Sequence, residues 1–225
     1  MRIALGILAA VSAVHLGAQL LDHAPTVDAT QVMLMPAAAA VLVSGIRAPR
    51  GRLVRLGLVA LAFSWLGDTA PRLVDGDAAF LAMVGFFLVA QLVYAVAFWP
   101  YRHRSVLRRP RLLAPYLLAA VVIAGLCAPG AGALLPAVLV YATAIVAMAV
   151  LATGLGRLAA IGAAVFVLSD SLIALSSFGV LTLSGQGFWV MATYIAAQLM
   201  LVLAIRRAAA PSTSAPGASA SSTPE

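Results

Sequence analysis

The chain reads as an all-α polytopic membrane bundle of eight transmembrane helices, and three observations lead there. Of its 225 residues, 64% are hydrophobic and only 9% charged, with a mean hydropathy of +1.07; a soluble domain carries about 25% charged residues. The apolar residues gather in eight stretches, each about long enough to cross a bilayer. If the helices alternate from an N-terminus inside, thirteen of the fourteen arginines fall on the inner side, as the positive-inside rule requires.

The first stretch, about 3–21, follows Met1 and Arg2. A signal peptide also opens this way, and Ser12, Ala13, Gly17 and Ala18 are small enough for a cleavage site, but the run is long for that role and a retained helix is expected. The second, about 30–46, and the third, 53–71, flank Arg47, Arg50, Arg52 and Arg55. The fourth, 78–99, and the fifth, 112–128, flank Arg102, Arg104, Arg108, Arg109 and Arg111. The sixth, 133–153, and the seventh, 157–178, meet at Arg157, and the eighth, 186–205, ends on Arg206 and Arg207. Arg72 alone falls on the other side, with Asp22, Asp28, Asp75 and Asp77.

Residues 1–207 therefore form a transmembrane domain, and 208–225, rich in Ala, Ser, Pro and Thr, a disordered cytoplasmic tail. Orientation and contact with anionic lipid account for the net charge of +7, so no nucleic-acid partner is expected. The single cysteine, Cys127, lies in an apolar run and reads as a small core residue. Lysine and asparagine are absent, which suggests a GC-rich bacterial genome. The expected location is a bacterial inner membrane, crossed many times, with both termini cytoplasmic.

Arg55-Leu56 and Arg157-Leu158 lead to Leu66-Gly67-Asp68 and Leu168-Ser169-Asp170 at a constant offset of 102. The next helices carry Ala90-Gln91-Leu92 and Ala197-Gln198-Leu199. Two parallel four-helix repeats would give this pattern; so would chance similarity among Ala- and Leu-rich helices. A true repeat puts the two aspartate helices face to face near its axis.

Asp68 and Asp170 are the residues that demand an explanation. Each lies 13 residues beyond its arginine, about 20 Å along a helix from the same membrane face. An aspartate at a transmembrane helix centre costs on the order of 2.5–3.5 kcal/mol. Ser64 and Gly67 share the face of Asp68, and Ser169 adjoins Asp170 in a stripe of small and polar residues, so both carboxyls turn into the bundle. Gln91 with Tyr94, Tyr194 with Gln198, and Tyr141 come to a similar level. Interhelical hydrogen bonding explains the amides and phenols individually; it does not explain two costly aspartates. Paired carboxyls in a dry site share one charge, leaving one acid and one carboxylate. Such a pair suits hydrolysis through an oxocarbenium-like state.

Other chemistries find less support. His15, His23 and His103 sit near helix ends or in loops away from the aspartates, and no two have metal-ligand spacing. Neither a metal nor a cofactor is expected. There is no Gly-x-Ser-x-Gly elbow, and a phosphate loop needs a lysine the chain lacks. A proton-coupled lipid or small-molecule transporter is the alternative, since such proteins also use intramembrane carboxylates. An intramembrane aspartyl protease fits poorly, because Trp65 stands where Gly-x-Gly-Asp needs glycine and Ser169 precedes Asp170.

In order and spacing, these segments resemble the YhhN family, whose characterised members are lysoplasmalogenases. The resemblance runs over residues 30–205. It includes Thr30 to Pro36, Ser64-Trp65-Leu66-Gly67-Asp68, Gly85 to Phe87, Gln91, Tyr94, Tyr141 and Met148. It continues through Gly162, Ala163, Phe166, Ser169, Asp170, Tyr194 and Gln198. It implies an eight-helix hydrolase that cleaves the vinyl ether of a lysophospholipid to a fatty aldehyde and a glycerophospho-ethanolamine or -choline. Asp68 and Asp170 would be catalytic, and Ser64, Gln91, Tyr94, Tyr141, Ser169, Tyr194 and Gln198 would meet substrate or water. Two positions depart from the family: Gln31 replaces a usual lysine, and Gln91 a frequent histidine.

Overall fold

The computed structural model describes residues 1–46 and 48–210; Arg47 and residues 211–225, most of the expected tail, lie outside the described residues. Eight α-helices and short 3-10 turns account for the described architecture, with no strand. The helices are α1 (Arg2–Leu20), α2 (Ala24–Val43), α3 (Arg52–Thr69), α4 (Gly76–Phe98), α5 (Pro110–Ala131), α6 (Leu135–Ala152), α7 (Arg157–Ser177) and α8 (Gln186–Ala209).

Seven helical stretches, not the eight expected, are long and apolar enough to cross a membrane among the described residues. The difference lies at α5 and α6, which the 3-10 turn Gly132–Leu134 joins into one 42-residue stretch, Arg111–Ala152. Gly132 sits there at φ +48°, a conformation that glycine adopts without a Cβ clash. Beyond it Leu139, Thr143 and Val146 of α6 line one lateral groove with Leu113, Leu117 and Val121 of α5. The outward faces are apolar: Ile3, Leu118 and Val121 are 81%, 64% and 69% exposed. Such a surface is covered by lipid in a multi-pass membrane protein.

Consecutive helices pack against one another except α4 and α5, and α2 against α8 and α4 against α6 close the bundle. Two interactions follow directly from helix chemistry. Pro36, inside α2, has no N–H to give the Val32 carbonyl one turn earlier, and the Trp65 indole N–H of α3 donates to that carbonyl at 3.0 Å. The last carbonyls of α2 need donors as well; Arg206 of α8 gives an N–H to Leu42 O at 2.9 Å and another to Val41 O. The arginine-rich loops thus meet at one physical end of the bundle, where Arg52 also donates to Val96 O.

Close approach of helices depends on two glycines. A Cβ on Gly67 would stand 2.7 Å from the Phe87 ring, and one on Gly162 would stand 2.8 Å from Met200 Cβ. These contacts seat α3 on α4 and α7 on α8. The expected face-to-face approach of α3 and α7 is not found among the described residues. They are not neighbours, and α8 packs against both. The offset of 102 carried no information about which helix would fill the space between them.

Candidate functional site

Asp68 is not at mid-helix. α3 begins at Arg52, three residues before Arg55, and ends at Thr69, so Asp68 stands in its last turn. The cause is Pro71, which has no N–H to give the Gly67 carbonyl, so the chain tightens into the 3-10 turn Ala70–Leu73. Arg72, at the end of that turn, donates from Nη1 to the Asp68 carbonyl oxygen at 2.8 Å, a cation capping the negative end of α3. Asp170 lies deeper, two turns before the end of α7.

From these unequal positions both carboxyls reach one cavity of about 370 Å³. Asp68, Asp170, Ser169 and Tyr194 line it, together with Phe87, Met83 and Ile173. Gln19, Gln31, Arg72 and Gly187 form its mouth at the end opposite the arginine-rich loops. Each carboxylate has its own tyrosine. Tyr194 of α8 donates to Asp68 Oδ2 at 2.9 Å, and Tyr141 of α6 donates to Asp170 Oδ2. Sequence spacing alone did not reveal these partners: the carboxyls are bridged through α8 and α6 rather than by approach of their own helices.

Asp170 and Tyr141 also border an apolar crevice with Phe80, Val84, Val138 and Phe178. It shares Met83, Phe87, Asp170 and Ile173 with the cavity, so the two adjoin along that wall. Phe87, Phe166 and Tyr194 meet edge to face, with ring centroids 5.6–6.4 Å apart. That packing fixes the phenol bound to Asp68.

Four expected substrate contacts lie elsewhere. Ser64, Tyr94 and Gln198 do not line the cavity; they form a buried chain below it. Tyr94 O–H donates to Gln198 Oε1 at 2.8 Å, and Gln198 Nε2 donates to Ser64 Oγ at 3.0 Å. Ser64 is one helical turn from Asp68, and Gln198 one turn from Tyr194, so the expected single polar layer is two. Gln91 is fully buried beside Tyr141, and neither amide atom has a hydrogen-bond partner. Ser169, though it borders the cavity, spends its hydroxyl on Val190 O of α8 at 3.0 Å.

His15 stands five residues before the end of α1, near a helix end as expected, and is fully buried there, with Nδ1 2.8 Å from Thr30 Oγ1. Thr30 gives its own proton to Thr26 O at 2.6 Å, so the imidazole is the donor in that pair. His23 and His103 are exposed, as loop positions suggest.

Residues that sequence reasoning passed over are Arg72, Gln19 and Phe87 as cavity walls. Arg72 carried a signal: it was the one arginine among acidic residues on the far side. Gln31 accepts from Arg72 Nη2 at 2.7 Å.

No curated protein and no solved structure matches this chain. Among known families, residues 27–205 match the YhhN family. That span takes in α3, α4, α5, α6 and α7 whole and most of α2 and α8, hence both aspartates and both tyrosines. The chain belongs to the YhhN family.

Proposed function

We propose that this protein is a membrane hydrolase that cleaves the vinyl ether bond of lysoplasmalogens, releasing a fatty aldehyde and glycerophospho-ethanolamine or -choline. One observation carries the reading: Asp68 and Asp170, from two separate helices, line one cavity that adjoins an apolar crevice. The crevice, about 50 Å³, would take only the start of the alkenyl chain, whose remainder would lie in lipid, and the chamber the ether oxygen and a water molecule.

The reaction needs an acid and a base. The protonated carboxyl gives its proton to the outer alkenyl carbon, and the double-bond electrons leave an oxocarbenium ion at the carbon next to oxygen. The carboxylate stabilises that cation and takes a proton from water as the water oxygen adds to it. The resulting hemiacetal breaks its bond to the glycerol oxygen, which takes the proton the carboxylate gained from water, while the hemiacetal hydroxyl returns a proton to the first carboxyl, and the aldehyde departs. Asp170 borders the apolar crevice and suits the proton donor; Asp68 lies beside Arg72 and suits the carboxylate. Tyr141 and Tyr194 position the two groups. The family favours hydrolysis over carriage, and so does the filling below the cavity, where Tyr94, Phe98, Phe166, Met148 and Leu201 are fully buried.

The same reading sets the protein in a bacterial inner membrane with the arginine-rich end and both termini cytoplasmic, and with α5 and α6 crossing separately. It treats α1–α4 and α5–α8 as related halves; the α2–α8 and α4–α6 pairings, equivalent under such a repeat, support this. The decisive experiment incubates the purified protein with alkenyl and acyl lysolipids and follows the products by mass spectrometry. Aldehyde from the alkenyl lipid alone is expected; lipid flux in proteoliposomes without product would replace the hydrolase with a transporter.

A further inference from the structure

At the cavity mouth Arg72 and Asp28 form an ion pair, Nε to Oδ1 at 2.9 Å. It is the one salt bridge between side chains among the described residues. The Arg72 side chain is 29% exposed and that of Asp28 61%, so the pair borders both the chamber and the outside. Arg72 engages three of its five N–H groups, with Asp28, Gln31 and the Asp68 carbonyl. One N–H on each Nη remains, in the fork geometry that suits a phosphate. Asp28 keeps most of its surface and its second oxygen open.

We propose that this pair is a headgroup clamp for a zwitterionic phospholipid, with phosphate on Arg72 and ammonium on Asp28. An exposed ion pair is weak, so a ligand that carries both charges replaces it at little cost and leaves neither residue unpaired. Lipids whose headgroup is only anionic satisfy Arg72 and bring a second negative charge against Asp28. Nη1 stays on the Asp68 carbonyl during the exchange, so headgroup capture holds the catalytic turn in place. The inference rests on the hydrolase reading for the orientation of the lipid, and extends it to headgroup choice. A purely structural role for the pair would tie α2 to the turn after α3 and show no headgroup dependence.

The test measures binding, not turnover. The probes are 1-O-alkyl lysolipids, which lack the alkenyl bond and are not cleaved, carrying phosphoethanolamine, phosphoglycerol or a bare phosphate. The full-length protein in detergent should bind the phosphoethanolamine lipid about tenfold more tightly than the phosphoglycerol one, a step typical of one charged hydrogen bond. Asp28→Asn should erase that preference while keeping phosphate binding. Arg72→Gln should weaken all three probes about tenfold, and Arg72→Lys should restore part of it. Equal affinity of the wild type for both headgroups, or a preference that survives Asp28→Asn, overturns the clamp. Should Arg72→Gln fail to fold, Asp28→Asn, at an exposed carboxylate, still decides. Absence of aldehyde from the alkenyl lipid removes the hydrolase reading and leaves these binding results standing or falling by themselves.

Discussion

Asp68→Asn and Asp170→Asn separate chemistry from architecture. Asparagine has the shape of aspartate and keeps an oxygen to accept from Tyr194 or Tyr141, but it neither gives nor takes a proton at neutral pH. Removing one member of an acid–base pair costs about 10²–10⁴ in rate. Each variant should therefore lose at least about 100-fold in aldehyde formation while eluting from a sizing column like the wild type. Near-normal turnover in both variants would falsify the carboxyl-pair scheme. Both residues stood out in the sequence because an acidic group inside an apolar helix has no cheap structural explanation. Their tyrosine partners did not, since a phenol in a helix is an ordinary packing residue and contacts across 29 or 126 positions leave no trace in spacing. Arg72 was visible as an exception to charge asymmetry, but only the fold brings its guanidinium to the carbonyl of Asp68.

Helix α2 carries its own test, in the pairing of a proline with a tryptophan. Pro36 leaves the Val32 carbonyl without its backbone donor, and the Trp65 indole supplies one from α3. Trp65→Phe removes that N–H and leaves the Val32 carbonyl, on the lipid-facing surface of the bundle, without a donor, at a cost of about 1–3 kcal/mol. Pro36→Ala restores the backbone N–H to the same carbonyl. In that background Trp65→Phe should cost distinctly less, and a double-mutant cycle on thermal stability in detergent reads the difference. Additive effects would mean that the indole bond does not compensate the proline. At this scale the sequence was most legible: hydrophobic stretches bounded by arginines located every helix to within a few residues. The start of α2, at Ala24 rather than 30, was missed because Thr26 and Asp28 are polar, whereas Pro25 in the first turn is a favourable helix opening. The end of α3 was missed for the reverse reason, since 53–71 continues an apolar run through a proline that stops the α-helix two residues earlier.

At the scale of the whole bundle, the arginine pattern implies an alternating path, and the α5–α6 region is where that path is least constrained. The joining turn has no charge to anchor it on either side, and α6 is only 18 residues long, about 27 Å, slightly short of a hydrocarbon core of about 30 Å. If α5 and α6 each cross, the turn lies at the same membrane face as Arg72, and the number of crossings is even. If they share one crossing, everything from α7 onward changes sides and Arg157, Arg206 and Arg207 face outward, against the positive-inside rule. Cysteine accessibility distinguishes these cases. In a Cys127→Ala background, where the native thiol is buried anyway, single cysteines would replace Val74, Ala133 and Ala209, all exposed. With a membrane-impermeant maleimide on intact cells, Val74→Cys and Ala133→Cys should label and Ala209→Cys should label only after lysis. Labelling of Ala209→Cys from outside would reverse the second half of the bundle, and then the two aspartates could not enter one cavity from helices running in the same direction.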